Sequence, residues 1–159
     1  MIDSVQLLGG TAEKSLLAGA TVTSITAIWL HKKRHILTLV SSVLLLFACI
    51  SLSAHLLLDH FGYRYVWLYS APQLPAYLKI SNLWGGEEGT LLVLATILSL
   101  IAIGAVRYPG WTGPGVLFLT AGFACAALIW NPFTTTSADQ LALYPSRGMN
   151  VHLTTIWIS

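Results

Sequence analysis

The stretch KISNLWGGEEGTLLVLATILSL (residues 79–100) sets a Trp, two Gly and two adjacent acids at the mouth of a long apolar run. From Thr90 onward the run carries no charge, and such a segment is the raw material of a membrane-spanning helix. A helix end facing lipid needs little more than an aromatic anchor and a cap, so this mouth is richer than the fold demands. Helix chemistry accounts for part of it. Trp84 suits the interface, and Gly85 and Gly86 accept backbone angles that other residues resist. Glu87 and Glu88 would meet the positive end of the helix dipole, for about 0.3–1 kcal/mol each when exposed. Adjacent side chains on a helix do not face each other, so the two acids do not form a paired-carboxylate active site. No catalytic residue is expected in the chain.

The composition places the whole chain in the same class. Of 159 residues, 55% are hydrophobic and only 9% charged, whereas a soluble domain carries about 25% charged residues. The formal net charge of +2 is too small to point to nucleic acid, and no basic block is interleaved with aromatics. The N-terminal segment contains acids and has no short basic region, so it does not read as a cleaved signal peptide. Cys49 and Cys125 sit inside apolar runs and form no CxxC or CxxCH pair; they read as small apolar side chains packed between helices.

Four apolar runs stand out, at residues 16–30, 36–58, 90–106 and 115–130. A spanning helix needs about 20 residues, so the first, third and fourth require flanking residues to join them. A fifth run begins near Val151, and HLTTIWIS (residues 152–159) ends without a cap or basic flank. The expectation is an all-α, polytopic membrane helix bundle. It would have about four transmembrane helices plus the start of a fifth, in one integral-membrane domain over residues 1–159. That domain reads as the N-terminal portion of a larger or split protein.

Two short connections, HKKRH (residues 31–35) and RYPGWTGPG (residues 107–115), hold four of the eight Lys and Arg. The positive-inside rule puts both in the cytoplasm and residues 60–89 and 131–150 on the outer or periplasmic side. The membrane would be the plasma (inner) membrane or that of an organelle. Pro72 and Pro75 break the long outward segment. Its Tyr and Trp residues suit the headgroup region, and residues 74–84 read as a short helix lying at the interface.

Five histidines are present. His31 and His35 flank the basic turn and are most simply solvated. His55 stands near the end of the second run with Asp59 four residues on. That pair reads either as a functional group within a span or as a hydrogen bond at a helix end. His60 is a weaker candidate. His152 opens the fifth run, where a neutral imidazole could ligate haem iron. No other metal site is expected.

Tyr77, Lys79, Ile80, Leu83, Trp84, Gly85, Gly86, Glu88, Gly89, Leu91 and Leu92 match the segment Y-K-I-x-x-L-W-G-G-H-E-G-S-L-L. In that respect the chain resembles the CcmF family, the haem lyase subunit of cytochrome c maturation. Asn131, Pro132 and Phe133 match the family's N-P-F, and His152 stands where the family carries a haem axial ligand. Glu87 replaces the family's His. The LTT after His152 replaces its PP and looks more like the sister CcsA proteins. The broader CcmF/CcsA/CcmC haem-handling superfamily covers both patterns.

The resemblance implies a membrane component of cytochrome c biogenesis that binds b-type haem and helps ligate it to apocytochrome c on the outer face. It would act as a haem lyase only when completed by its own C-terminal half, or by a separate chain carrying the Trp-rich haem loop. The implied partners are haem, membrane lipid, apocytochrome c, a haem chaperone and a thiol-handling subunit. His152 is the implied axial ligand. Trp84, Gly85, Gly86, Glu87, Glu88 and Gly89 are docking candidates for haem or a partner, with His55, Asp59 and His60 behind them. Two alternatives compete. One is a transporter or ion-pathway subunit with His55, Asp59 and Glu88 along the path, against which stands the scarcity of charge within the runs. The other is a scaffold that only docks partners.

Overall fold

The computed structural model describes residues 2–108, 112–137, 139 and 142, with side chains from Gly10 onward. Helix accounts for nearly all of the regular structure. The long helices are α1 (Ile2–Trp29), α2 (Arg34–Leu57), α5 (Glu87–Ala105) and α6 (Thr112–Trp130). The short α3 (Arg64–Tyr69) and α4 (Ala76–Ser81) lie between α2 and α5. Two 3-10 turns, His31–Lys33 and Asn82–Trp84, lead into α2 and α5.

Three helical stretches, His31–Leu57, Glu87–Ala105 and Thr112–Trp130, are long and apolar enough to cross a membrane. Among the described residues, three of the four expected spans meet that length and apolarity. The first helix starts well before residue 16 and is 28 residues long, but Glu13, Lys14 and a series of Ser and Thr lower its apolarity. It still belongs to the bundle. α1 packs on α2 and α6, α2 on α5, and α5 on α6, which closes a ring of four helices.

The interior of that ring is built from small and branched side chains. Leu17, Leu45, Leu52, Leu56 and Leu92 are fully buried among Ala20, Ala48, Ala95, Ala124 and Ala127. Small residues let helix backbones approach, and hydroxyls then bond across the gap. Ser24 and Ser41 share a hydrogen bond of 2.6 Å, and Ser42 donates to the Ser99 carbonyl at 2.9 Å. The outer surface carries Phe47, Ile50, Ile101, Phe118 and Ile129, all exposed. Large apolar groups outside and small ones inside are what a bundle bathed in lipid tails requires.

Helix connectivity sorts the charges by end. The α1–α2 turn and the α5–α6 connection lie at one end of the bundle, where His35 and Arg107 line a common groove. The α2–α5 connection and the residues after α6 lie at the other. There Asn131 ends α6 in the left-handed region, at φ 33°, a conformation Asn tolerates. Its side-chain oxygen accepts the Phe133 N–H at 3.2 Å. Pro132 cannot continue the helix, and Phe133 plugs the core at 1% exposure. The chain then pairs back on the long connection: Arg64 N–H donates to the Thr134 carbonyl and Thr136 N–H to the Gly62 carbonyl, each at 2.8 Å. The N-P-F motif is thus a helix stop, a core plug and the start of a clasp.

Candidate functional site at the α2–α5 end

Residues 74–84 were expected as one interfacial helix. They form α4 followed by the Asn82–Trp84 turn, with Pro75 in extended conformation just before the first helical residue. Pro supplies the fixed φ that a helix start needs and has no N–H to leave unbonded. Lys79, the basic residue of this segment, is buried at 6% exposure. Its ammonium pairs with Asp59, whose other oxygen accepts from Ser70 Oγ at 2.6 Å. Asp59 itself has φ 53°. The pair ties α4 to the turn that ends α2.

The glycines of the Trp84–Gly89 segment have a reason that only the packed structure supplies. A Cβ at Gly86 would lie 2.6 Å from the Tyr69 ring, and one at Gly89 would lie 2.1 Å from the Tyr65 hydroxyl and 2.4 Å from the Leu83 carbonyl. The two tyrosines of α3 are pressed onto the start of α5, their rings 4.7 Å apart. Tyr65 Oη donates to the Asn82 carbonyl at 2.8 Å and accepts the Gly86 N–H at 3.3 Å. That N–H belongs to the helix start and has no partner within α5. Burial raises the Tyr65 phenol above its ordinary range, and nearby Glu88 adds to the rise. Tyr69 moves the same way, through burial first and then Glu88 and Glu87. Both shifts favour the neutral phenol.

Beside this knot lies an open cleft of about 650 Å³, within the range that holds small molecules and cofactors. Trp84 and Trp130, each about half exposed, and Tyr69 give it aromatic walls, while Gly85, Gly86 and Glu87 form the edge at the start of α5. Four of the six docking candidates therefore meet in one cleft. Glu88 and Gly89 instead face the two tyrosines. Trp130 was not singled out by the sequence, because a Trp at the end of an apolar run reads as an ordinary anchor.

His55 and Asp59 do not form the hydrogen bond that their spacing predicts. Asp59 is turned to Lys79 and Ser70, and the His55 imidazole Nε2 meets Glu13 Oε1 of α1 at 2.7 Å. Its Nδ1 lies 2.8 Å from His60 Nδ1. Glu13 was not a candidate: in sequence it is one acid next to a lysine, 42 positions from its partner. Cys49 and Cys125 are both free and half-buried. His152 lies outside the described residues, and so does most of the 131–150 segment beyond Ser137.

Haem fits this end of the bundle only in part. The aromatic and apolar cleft suits the face of a flat macrocycle, but among the described residues its lining contains no His, Cys or Met to bind iron. Among the described residues no group of three or more His, Cys, Asp or Glu could hold a metal ion. No known protein family, curated protein or solved structure matches this chain.

Proposed function

We propose that this chain is a membrane component of haem handling in cytochrome c maturation, of the CcmF/CcsA/CcmC kind, that receives haem at the α2–α5 end and presents it toward apocytochrome c. One observation carries the reading. The Trp84–Gly86 part of the segment that resembles the CcmF signature lines a cleft faced by Trp130 and Tyr69, with Glu87, which stands in place of the family's His, at its edge. The cleft supplies flat apolar contact and orientation, the part of cofactor chemistry that falls to the protein. Bound haem would bring its own vinyl groups for thioether formation. Iron would be held by His152, as the resemblance implies. In this reading α1 crosses the membrane with the other three long helices, and residues 60–89 face outward.

Haemin titration of the purified chain in lipid nanodiscs tests the reading. Bound haem should quench Trp fluorescence, and Trp84→Ala with Trp130→Ala should weaken binding by about tenfold or more, the loss of two aromatic contacts. Equal affinity in the double variant would remove the cleft from haem handling and leave the docking scaffold. Labelling with an impermeant thiol reagent in a background without Cys49 and Cys125 tests the orientation. Thr135→Cys should react in intact cells and Lys33→Cys should not.

A further inference from the structure

Glu13, His55 and His60 form a line of hydrogen bonds that runs from solvent into the bundle. Glu13 is 8% exposed and His60 is exposed. The turn after α2 aligns them, because the His60 N–H donates to the His55 carbonyl at 3.1 Å and folds one imidazole back beside the other. Their ring centroids are 5.1 Å apart. His55 is engaged at both nitrogens, Nδ1 toward His60 at 2.8 Å and Nε2 toward Glu13 Oε1 at 2.7 Å. Ser51 Oγ donates to the same Oε1 at 2.5 Å. The second carboxylate oxygen, Oε2, is buried; among the described residues no donor bonds it within 3.5 Å, and the Tyr63 phenol is the further donor that faces the carboxylate.

A carboxylate built only to hold α1 on α2 would have both oxygens satisfied, since an unpaired buried acceptor costs about 1–3 kcal/mol. Protonation of Glu13 removes the charge that makes the bare oxygen expensive. Imidazole is the side chain suited to deliver that proton, because it binds one at either nitrogen near neutral pH. We propose that His60, His55 and Glu13 are a proton relay, with Glu13 as the buried proton-holding site.

The transfer balances atom by atom. A hydronium ion of the solvent gives a proton to His60 Nε2 and leaves as water. The proton on His60 Nδ1 passes to His55 Nδ1, and the proton on His55 Nε2 passes to Glu13 Oε1. The carboxylate becomes a carboxylic acid, both imidazoles end neutral in the opposite tautomer, and the net event is one proton taken up. The surrounding groups leave this path clear. On α1, Lys14 is exposed. In the connection after α2, Asp59 is engaged by Lys79. Tyr63, with its ring 4.4 Å from His55, faces the Glu13 carboxylate as a hydrogen-bond donor, and its phenol is pushed up to about 12 by burial and then by that carboxylate. α6, which also packs on α1, carries Cys125 as its one titratable side chain.

Infrared difference spectroscopy after a downward pH jump, on the full chain in lipid nanodiscs, tests the relay. A protonated-carboxyl band should appear that Glu13→Gln lacks. His60→Ala should slow its appearance by about a hundredfold, the usual worth of a positioned proton-transfer group, and added imidazole should restore the rate. His55→Gln keeps a hydrogen-bonding side chain that cannot carry a proton and should slow it as well. His60 is exposed, so its substitution spares the packing and decides between the outcomes even if the His55 variant fails to fold. A Glu13 that stays ionised at every pH where the helices persist would overturn the proposal. So would an unchanged rate in His60→Ala.

Discussion

The two ends of the bundle reverse the chain in opposite ways. At the basic end, α1 turns into α2 within Leu30 and the His31–Lys33 turn, and Arg34 satisfies helix-end carbonyls by donating to Ala27 at 3.3 Å and Ile28 at 3.4 Å. A cation at a helix C-terminus is favourable on its own, and this end needs no acid to balance it. At the α2–α5 end the reversal takes the whole span from Leu58 to Gly86. Tyr63, Tyr65, Val66, Trp67 and Lys79 are buried there, and the Lys79–Asp59 ion pair and the His55–Glu13 hydrogen bond are there too. A turn needs only caps. An end that buries charges and phenols must pair each of them, and the pairing gives this end a shape able to bind something.

The comparison is broken most directly at Lys79. Removing one partner of a buried ion pair leaves the other unpaired. Lys79→Met should cost about 3 kcal/mol in mixed-micelle unfolding, near the lower end of such losses because Asp59 keeps its bond from Ser70. Arg34→Met at the other end should cost less than about 1 kcal/mol. Adding Asp59→Asn to Lys79→Met should recover much of the loss, because no bare charge is left and Asn accepts the positive φ.

Helix α5 offers a comparison within one element. Gly104, near the basic end, has nothing within 4 Å of an added Cβ, so Gly104→Ala should stabilise by up to about 1 kcal/mol. Gly89→Ala at the opposite end must displace the Tyr65 hydroxyl and the Leu83 carbonyl, and should destabilise by about 2 kcal/mol. The same substitution on the same helix is expected to change sign. Equal effects at both positions would deny the knot its tight packing.

Tyr65→Phe keeps the ring and removes the oxygen that receives the Gly86 N–H. Stability should fall by about 1–2 kcal/mol, the loss from a buried donor left unpaired. The smallest effect at neutral pH concerns Tyr63. Its folded-state value of about 12 lies above the ordinary phenol value of about 10. The neutral form is thus favoured in the folded state. The resulting stability is fully present below pH about 10 and is lost as pH rises through about 12. Ultraviolet titration should show late-ionising tyrosines, Tyr63 among them with Tyr65 and Tyr69. Glu13→Gln should move Tyr63 toward the ordinary value without reaching it, since burial is the larger cause.

Much of this protein was legible without its fold. The apolar runs located the helices to within a few residues at α2, α5 and α6, because an uninterrupted apolar segment has few other stable conformations. Glu87 and Glu88 read correctly as a helix start, and Pro72 and Pro75 as breaks in the long connection. The residues before 16 were not read as helix, since Glu13 and Lys14 mask the continuation of α1. What joins one element to another was hidden. His55 pairs with Glu13 rather than Asp59, Lys79 is buried on Asp59, Gly86 and Gly89 make room for two tyrosines, and Trp130 shares a cleft with Trp84. Local spacing sets a residue's own helix and the face it occupies. Which foreign side chain meets that face depends on how far each helix is rotated and slid against its neighbour, and that is decided only when all four pack together.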